Sequence, residues 1–206
     1  MHVTFPAGEW TLEGVLTSSP GGDRAAVICH PHPLYGGNMN NPVVRAIEEG
    51  LQKAGCTTLR FNFRGVGEST GSYGGGAGEG EDLRSAVSWL IESTGAKAIS
   101  LAGYSFGAMV VLSAGAQLTG VDRLIAVAPP LSFFTLGSLS LGSVPKLFIA
   151  GDRDQYCSAA DLAEQLTAVP TPKKNVILAG ADHFLFGYEA SIRTAVAEFA
   201  TTDEHG

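Results

Sequence analysis

The sequence is poor in charge, and what it has is mostly of one sign. Among 206 residues, 13 are Lys or Arg and 20 are Asp or Glu, for a formal charge of −7, and the basic residues form no cluster. Such a chain has little with which to neutralise a phosphate backbone or an anionic bilayer, so neither nucleic acid nor a membrane is an expected partner. Cysteine is also scarce. Cys29, Cys56 and Cys157 are odd in number and unrelated in spacing, which predicts neither a disulfide framework nor a zinc knuckle and leaves three reduced thiols in or near the core. No apolar run approaches membrane-spanning length, and the first ten residues, Met1 to Trp10, have neither the basic start nor the apolar stretch of a secretory leader. The expected compartment is the cytoplasm.

What is abundant is apolar residues and glycine. With 45% hydrophobic residues and 27 glycines, the chain is too apolar for disorder and too rich in turns for a coiled coil, so residues 1–206 read as a single domain. Short runs of β-branched and aliphatic residues recur, each closed by turn residues and followed by a helical segment, the alternation of a mostly parallel sheet. The predicted buried strands are Ala25 to Cys29, Thr57 to Phe61, Ala98 to Ala102, Leu124 to Ala128, Lys146 to Ala150 and Asn175 to Leu178. Two earlier segments, His2 to Phe5 and Trp10 to Leu16, alternate polar and apolar residues and suit an antiparallel entry to the sheet. Helices are predicted over Pro42 to Lys53, Glu79 to Glu92, Phe106 to Gln117, Ala159 to Leu166 and Glu189 to Phe199, with Asn41-Pro42 as an N-cap and first-turn signal. The Gly-rich stretch Gly71 to Gly80 reads as a mobile loop.

Gly103-Tyr104-Ser105-Phe106-Gly107 lies directly after one predicted strand and directly before a helix. This strand–turn–helix context is what a G-x-S-x-G nucleophile requires, because the turn must be tight enough to present the serine and bulky residues two positions away would collide. A serine hydroxyl needs a base within hydrogen-bond reach and a carboxylate to hold that base in the right tautomer, and both are expected downstream. His183 follows the strand ending at Leu178. Asp152 and Asp154 follow the strand Lys146 to Ala150; Asp154 is the predicted acid, with Asp152 expected to hold the turn through its own backbone. Acyl transfer also needs two donors for the developing oxyanion, each worth about 3 kcal/mol. One is the Phe106 amide. The other is expected from His32, the only residue of Pro31-His32-Pro33 with a backbone N–H. The segment Pro129 to Pro145, about seventeen residues, leaves room only for a minimal lid; Phe133 and Phe134 within it, with Tyr35, are candidates to line a substrate pocket suited to short acyl chains.

These residues carry a resemblance. His30-Pro-His-Pro-Leu-Tyr-Gly-Gly-Asn-Met39, Asn62-Phe-Arg-Gly-Val-Gly-Glu-Ser69, Gly103 to Gly107, Gly151-Asp-Arg-Asp154 and Ala181-Asp-His183-Phe184, in this order, resemble the small, lid-poor α/β-hydrolases related to dienelactone hydrolase and esterase-like bacterial members of that superfamily. The resemblance covers nearly the whole chain. It implies an eight-stranded hydrolase sheet, hydrolysis of an ester or thioester and the roles given above to Ser105, Asp154, His183, Phe106 and His32; helices on both faces, a small-molecule substrate, no cofactor and a monomer or homodimer are the accompanying expectations. Dienelactone hydrolases proper use cysteine where this chain has Ser105. Two competing readings are a non-catalytic binding or sensing module on the same fold and a serine peptidase or amidase. His30-x-His32 lacks a third metal ligand nearby, and Gly65-Val-Gly67 has neither the spacing nor the following helix of a dinucleotide loop. Arg64 and Ser69 are expected to tie down that turn.

Overall fold

The computed structural model describes residues 1–20, 23–115 and 118–202. Its strands are β1 (His2–Ala7), β2 (Trp10–Thr17), β3 (Arg24–Cys29), β4 (Thr57–Phe61), β5 (Ala98–Tyr104), β6 (Val121–Val127), β7 (Lys146–Gly151) and β8 (Lys173–Leu178). Between and after them lie α1 (Pro42–Lys53), α2 (Ala77–Thr94), α3 (Phe106–Ala114), α4 (Ala159–Leu166) and α5 (Glu189–Thr201). The strands form one eight-stranded sheet in the order β1-β2-β4-β3-β5-β6-β7-β8. β1 pairs antiparallel with β2, and β2 with β4; every other pairing is parallel. The two alternating strands at the start do form the antiparallel entry.

Both faces of the sheet are covered from β3 to β7, which is why those strands read as continuous apolar runs. Side chains alternate along β3, so Ala25, Val27 and Cys29 join one core while Ala26 and Ile28 join the other. The first core packs α2, α3 and α4 against the sheet, with Leu83, Val111 and Leu162 among its members. The second packs α1 and α5, with Ile47 and Val196. Among the described residues no helix is long and apolar enough to cross a membrane.

The strand order reverses between β3 and β5. After β3 the chain runs into α1 on one face, and after β5 it runs into α3 on the other. Divergence of two adjacent strands opens a crevice at their C-terminal ends, where ligands of open α/β sheets bind. The loops from Cys29 and Tyr104 both begin there.

Several predicted boundaries move, and one predicted burial fails: β8, expected buried over Asn175 to Leu178, is an edge strand with Asn175 and Ile177 exposed and only Leu178 buried, because among the described residues nothing pairs with its outer side. The last two residues of the helix predicted to end at Gln117 lie outside the described residues; the described helix ends at Ala114. The stretch read as a mobile Gly71 to Gly80 loop is helical from Ala77. Its start is held by the buried Glu79 carboxylate, which accepts the Gly74 and Gly76 amides at 2.8 and 2.7 Å. Arg64 packs across the first turn, donating through Nε and Nη2 to Asp82 Oδ1 at 3.0 and 2.8 Å, and Ser69 Oγ donates to the Asn62 carbonyl at 2.8 Å. These are the turn-holding partners that sequence alone left unassigned.

Candidate active site

β5 ends at Tyr104 and α3 begins at Phe106, so Ser105 alone turns the chain. It does so at φ 53°, ψ −117°, a conformation that costs an L-residue of order 1–3 kcal/mol. Its amide donates to the Val127 carbonyl at 2.9 Å, and its carbonyl accepts from the Met109 amide at 3.1 Å. Gly107 allows a close approach: a Cβ there would collide with the Cys29 carbonyl. Only glycine therefore lets the start of α3 lie against the end of β3, bringing the Ser105 turn beside the loop that starts at His30.

The Ser105 hydroxyl meets His183 Nε2 at 2.8 Å. The other ring nitrogen, Nδ1, lies 2.9 and 3.0 Å from the two oxygens of Asp154. A carboxylate can only accept, so Nδ1 carries the imidazole proton and Nε2 presents its lone pair to the serine. The Asp154 side chain is fully buried, and its Oδ1 also accepts the Tyr156 and Cys157 amides at 2.8 and 3.0 Å. Three donors hold that carboxylate in one orientation. The loops that carry Asp154 and His183 themselves touch, because a Cβ at Gly151 would collide with the Ala181 carbonyl. Asp152 does not hold its own turn as expected; its carboxylate reaches across to accept the Gly180 amide at 2.7 Å, joining the two loops a second time. Asp182 turns away and accepts the Phe184 amide.

Tyr104 was not singled out from sequence. Its hydroxyl donates to the His183 carbonyl at 2.9 Å, and burial, with the Asp154 and Asp182 carboxylates nearby, raises its ionisation above that of an ordinary phenol. It therefore stays a donor and anchors the His183 backbone. The only sequence signal is a hydroxyl at the variable position of a motif in an apolar strand.

His32 lies on the loop after β3, where it begins a short 3-10 turn over Pro33–Tyr35. The Leu34 amide donates to its Nδ1 at 3.2 Å, so Nε2 carries the proton and faces the Tyr73 hydroxyl at 3.3 Å. Its ring packs on Tyr35, Phe106 and Tyr73 at centroid distances of 4.7, 4.8 and 5.0 Å. Burial lowers its basicity, partly opposed by the Glu79 carboxylate. Neither the His32 nor the Phe106 main-chain amide donates to an acceptor among the described residues, and Phe106 stands in the first turn of α3, where amides lack intrahelical partners.

His30 fastens this loop from below. The Phe63 amide donates to its Nε2 at 3.1 Å, so Nδ1 carries the proton and donates to the Pro31 carbonyl at 2.6 Å. Burial lowers its pKa from 6.5 to about 4, which keeps it neutral in the fold. The unfolded chain takes up a proton at this residue below pH 6.5 and the folded chain does not. Its stabilising contribution is therefore complete above 6.5 and is lost as pH falls through the window down to about 4, by roughly 3 kcal/mol at about 1.36 kcal/mol per pH unit. Urea midpoints of wild type and His30→Gln, compared from pH 7 to pH 4, should diverge in slope over this window. Parallel pH profiles would refute the assignment.

Of the proposed pocket residues, Phe133 is 72% exposed and Tyr35 87% exposed, whereas Phe134 packs partly against the core together with Leu139. Leu131, Leu136 and Leu141 are buried, so the leucines of the Pro129 to Pro145 segment mainly serve the core, while many of its other residues are exposed. Beside His183 stand Tyr156, with a centroid distance of 4.8 Å, and Phe184, at 6.1 Å. Both escaped the sequence reading, although each lies within two residues of Asp154 or His183. Cavities of about 420 and 400 Å³ lie elsewhere, beside α2 and α5, and neither Ser105 nor His183 lines them. Cys29, Cys56 and Cys157 are buried and unpaired; burial raises the Cys29 thiol and pushes Cys157 to about 12, leaving both protonated. Among the described residues no three His, Cys, Asp or Glu converge as metal ligands.

Residues 27–141 match the family model for the alpha/beta hydrolase fold. An α/β serine hydrolase homologue from Coxiella burnetii is 35% identical, with 96% of each chain covered and a TM-score of 0.87. An α/β serine hydrolase without a lid from Xanthomonas campestris is 31% identical over 97% of this chain and 92% of that one, with a TM-score of 0.86. An uncharacterized protein of Rickettsia prowazekii is 31% identical over 98% of this chain and 89% of its own length. An esterase from Pyrococcus furiosus, 21% identical, shares the fold over 97% of this chain and 90% of its own, with a TM-score of 0.82. With its reversed strand order, its serine on a strained turn and these likenesses, the chain belongs to the α/β-hydrolase family.

Proposed function

We propose that this chain is a carboxylesterase-type serine hydrolase that cleaves small carboxylic esters or thioesters through an acyl-serine on Ser105. The observation that carries this reading is the continuous link from Ser105 Oγ through His183 Nε2 and Nδ1 to Asp154, with spacings of 2.8 and 2.9 Å. A serine hydroxyl is a poor nucleophile at neutral pH, and this arrangement gives it a base whose tautomer is already set.

In the proposed cycle Oγ attacks the carbonyl carbon while its proton passes to Nε2. The carbonyl electrons move onto oxygen, and the oxyanion is received by the His32 and Phe106 amides at the positive end of α3. Collapse breaks the bond to the alcohol or thiol, which leaves with the proton from Nε2. Water then gives a proton to Nε2 and attacks the acyl carbon, and a second collapse releases the acid and returns the proton to Ser105. Asp154 stays ionised throughout and stabilises the imidazolium that forms in each half.

The test pairs turnover of p-nitrophenyl acetate and butyrate with fluorophosphonate labelling, the adduct being located by mass spectrometry. The expected result is hydrolysis of both esters and a single adduct on Ser105. A folded wild type that neither turns over nor labels would overturn the reading and leave a binding role for the same fold.

A further inference from the structure

The rings beside His183 are not scattered. Phe133 lies 5.8 Å from Tyr156 between centroids, Tyr156 lies 4.8 Å from His183, His183 lies 6.1 Å from Phe184, and Phe184 lies 6.2 Å from Phe186 with the two planes 15° apart. All four are open to solvent: Phe133 at 72%, Tyr156 at 36%, Phe184 at 52% and Phe186 at 73%. They come from three loops that follow three different strands, with Tyr156 and Phe184 beside the imidazole and Phe133 and Phe186 packed outside them. Exposed aromatic rings grouped on both sides of the imidazole offer apolar surface that a ligand can cover.

These loops are also held in place without using the rings. Ser132 donates through its amide and its hydroxyl to the Tyr156 carbonyl at 3.0 and 3.2 Å, which sets Phe133 against Tyr156. The Tyr156 amide is bound by Asp154 at 2.8 Å, and the Phe184 amide by Asp182 at 2.9 Å. The backbone is anchored while the side chains face outward, so a ligand meets the rings without any rearrangement of the chain that carries them.

Resting on the reading that Ser105 attacks and His183 relays the proton, the chemistry separates the two sides of the site. The leaving group takes its proton from Nε2 and must therefore sit at the imidazole, whereas the carbonyl oxygen points toward the His32 and Phe106 amides. We infer that the Phe133–Tyr156–Phe184–Phe186 rim is the leaving-group subsite and that it selects esters whose alcohol carries a flat, uncharged aromatic ring. A planar ring matches the exposed faces that stacking and edge contacts use, and flexible alkyl groups of equal size do not. The charged groups on the flanking turns are the exposed carboxylates of Asp152 and Asp182 and the exposed guanidinium of Arg153. Their net charge is negative, as is that of the whole chain, and this disfavours thioesters carried on a polyphosphate.

The experiment compares kcat/KM for benzyl acetate and cyclohexylmethyl acetate, two esters of one acid whose alcohols match in size and nearly in acidity and differ in planarity. Wild type should prefer the benzyl ester roughly tenfold, mainly through KM, as one or two aromatic contacts imply. Phe133→Leu and Tyr156→Leu, checked for folding by thermal midpoint, should reduce that ratio to less than about threefold. Moving the ring to the acyl side, as in ethyl phenylacetate against ethyl cyclohexylacetate, should give a ratio near one. Equal rates on the two acetates, a preference that survives both substitutions, or a larger preference on the acyl side would each overturn the inference while leaving the hydrolase reading intact. Failure of wild type to hydrolyse any of the esters, together with absence of fluorophosphonate label on Ser105, would instead remove the hydrolase reading on which it rests.

Discussion

Ser105→Ala should lower kcat for p-nitrophenyl acetate by about 10⁵-fold, equivalent to about 7 kcal/mol of transition-state stabilisation. The residual rate would come from the His32 and Phe106 amides and from general-base action of His183 on water. The substitution removes one hydroxyl whose contact is His183 Nε2 and leaves the strained φ of 53° in place, so folding should survive and the loss should lie in the chemical step. A companion variant separates strain from chemistry. Ser105→Gly should be equally inactive but more stable than Ser105→Ala by about 1 kcal/mol, because glycine occupies this backbone conformation without the Cβ penalty and gives back only part of the gain in unfolded-chain entropy. Burst and steady-state kinetics with urea midpoints of both variants would test this. Retention of more than about a hundredth of wild-type kcat by Ser105→Ala would remove the serine from the role proposed for it.

Asp154→Asn should cost about 10⁴-fold in kcat with KM little changed. The reason lies in the donors around the carboxylate. Oδ1 accepts the Tyr156 and Cys157 amides, so an asparagine must keep its oxygen there and place its NH₂ where Oδ2 now faces Nδ1 at 2.9 Å. An NH₂ group opposite Nδ1 forces the imidazole proton onto Nε2. That nitrogen would then donate toward Ser105 and be unable to accept its proton. Asp152→Asn is the matched control: its partner is the Gly180 amide, an asparagine oxygen can accept the same bond, and activity should stay within a few-fold of wild type. If Asp152→Asn were the crippling change and Asp154→Asn the mild one, the acid would have been misassigned between two residues only two positions apart.

The strands were readable because both faces of a parallel strand are buried, so runs such as Ala25 to Cys29 and Lys146 to Ala150 carry no competing polar pattern. The position of Ser105 was readable for a related reason. Its turn tolerates almost nothing but glycine at positions 103 and 107, and a steric requirement that strict leaves a written mark. His183 and Asp154 could be picked out because the proposed chemistry needs those residue types at the ends of later strands, and the structure brings His183 to Ser105 and Asp154 to His183.

Other features of the site left no such mark. Asp152 was expected to hold its own turn and instead bonds Gly180, because its partner is chosen by how the β7 and β8 loops abut and not by local chain preference. Leu131, Leu136 and Leu141 of the Pro129 to Pro145 segment went into the core because a short segment crossing the end of a sheet has apolar neighbours beneath it. The Tyr104 hydroxyl and His30 Nε2 find partners far away in sequence, the His183 carbonyl and the Phe63 amide, and the aromatic rim draws on three separate loops. Period, turn chemistry and residue type act over a few residues and can be read along the chain. Convergence of distant loops depends on the sheet order, set by packing summed over the whole core, and for that reason only the folded molecule reveals which rings surround His183.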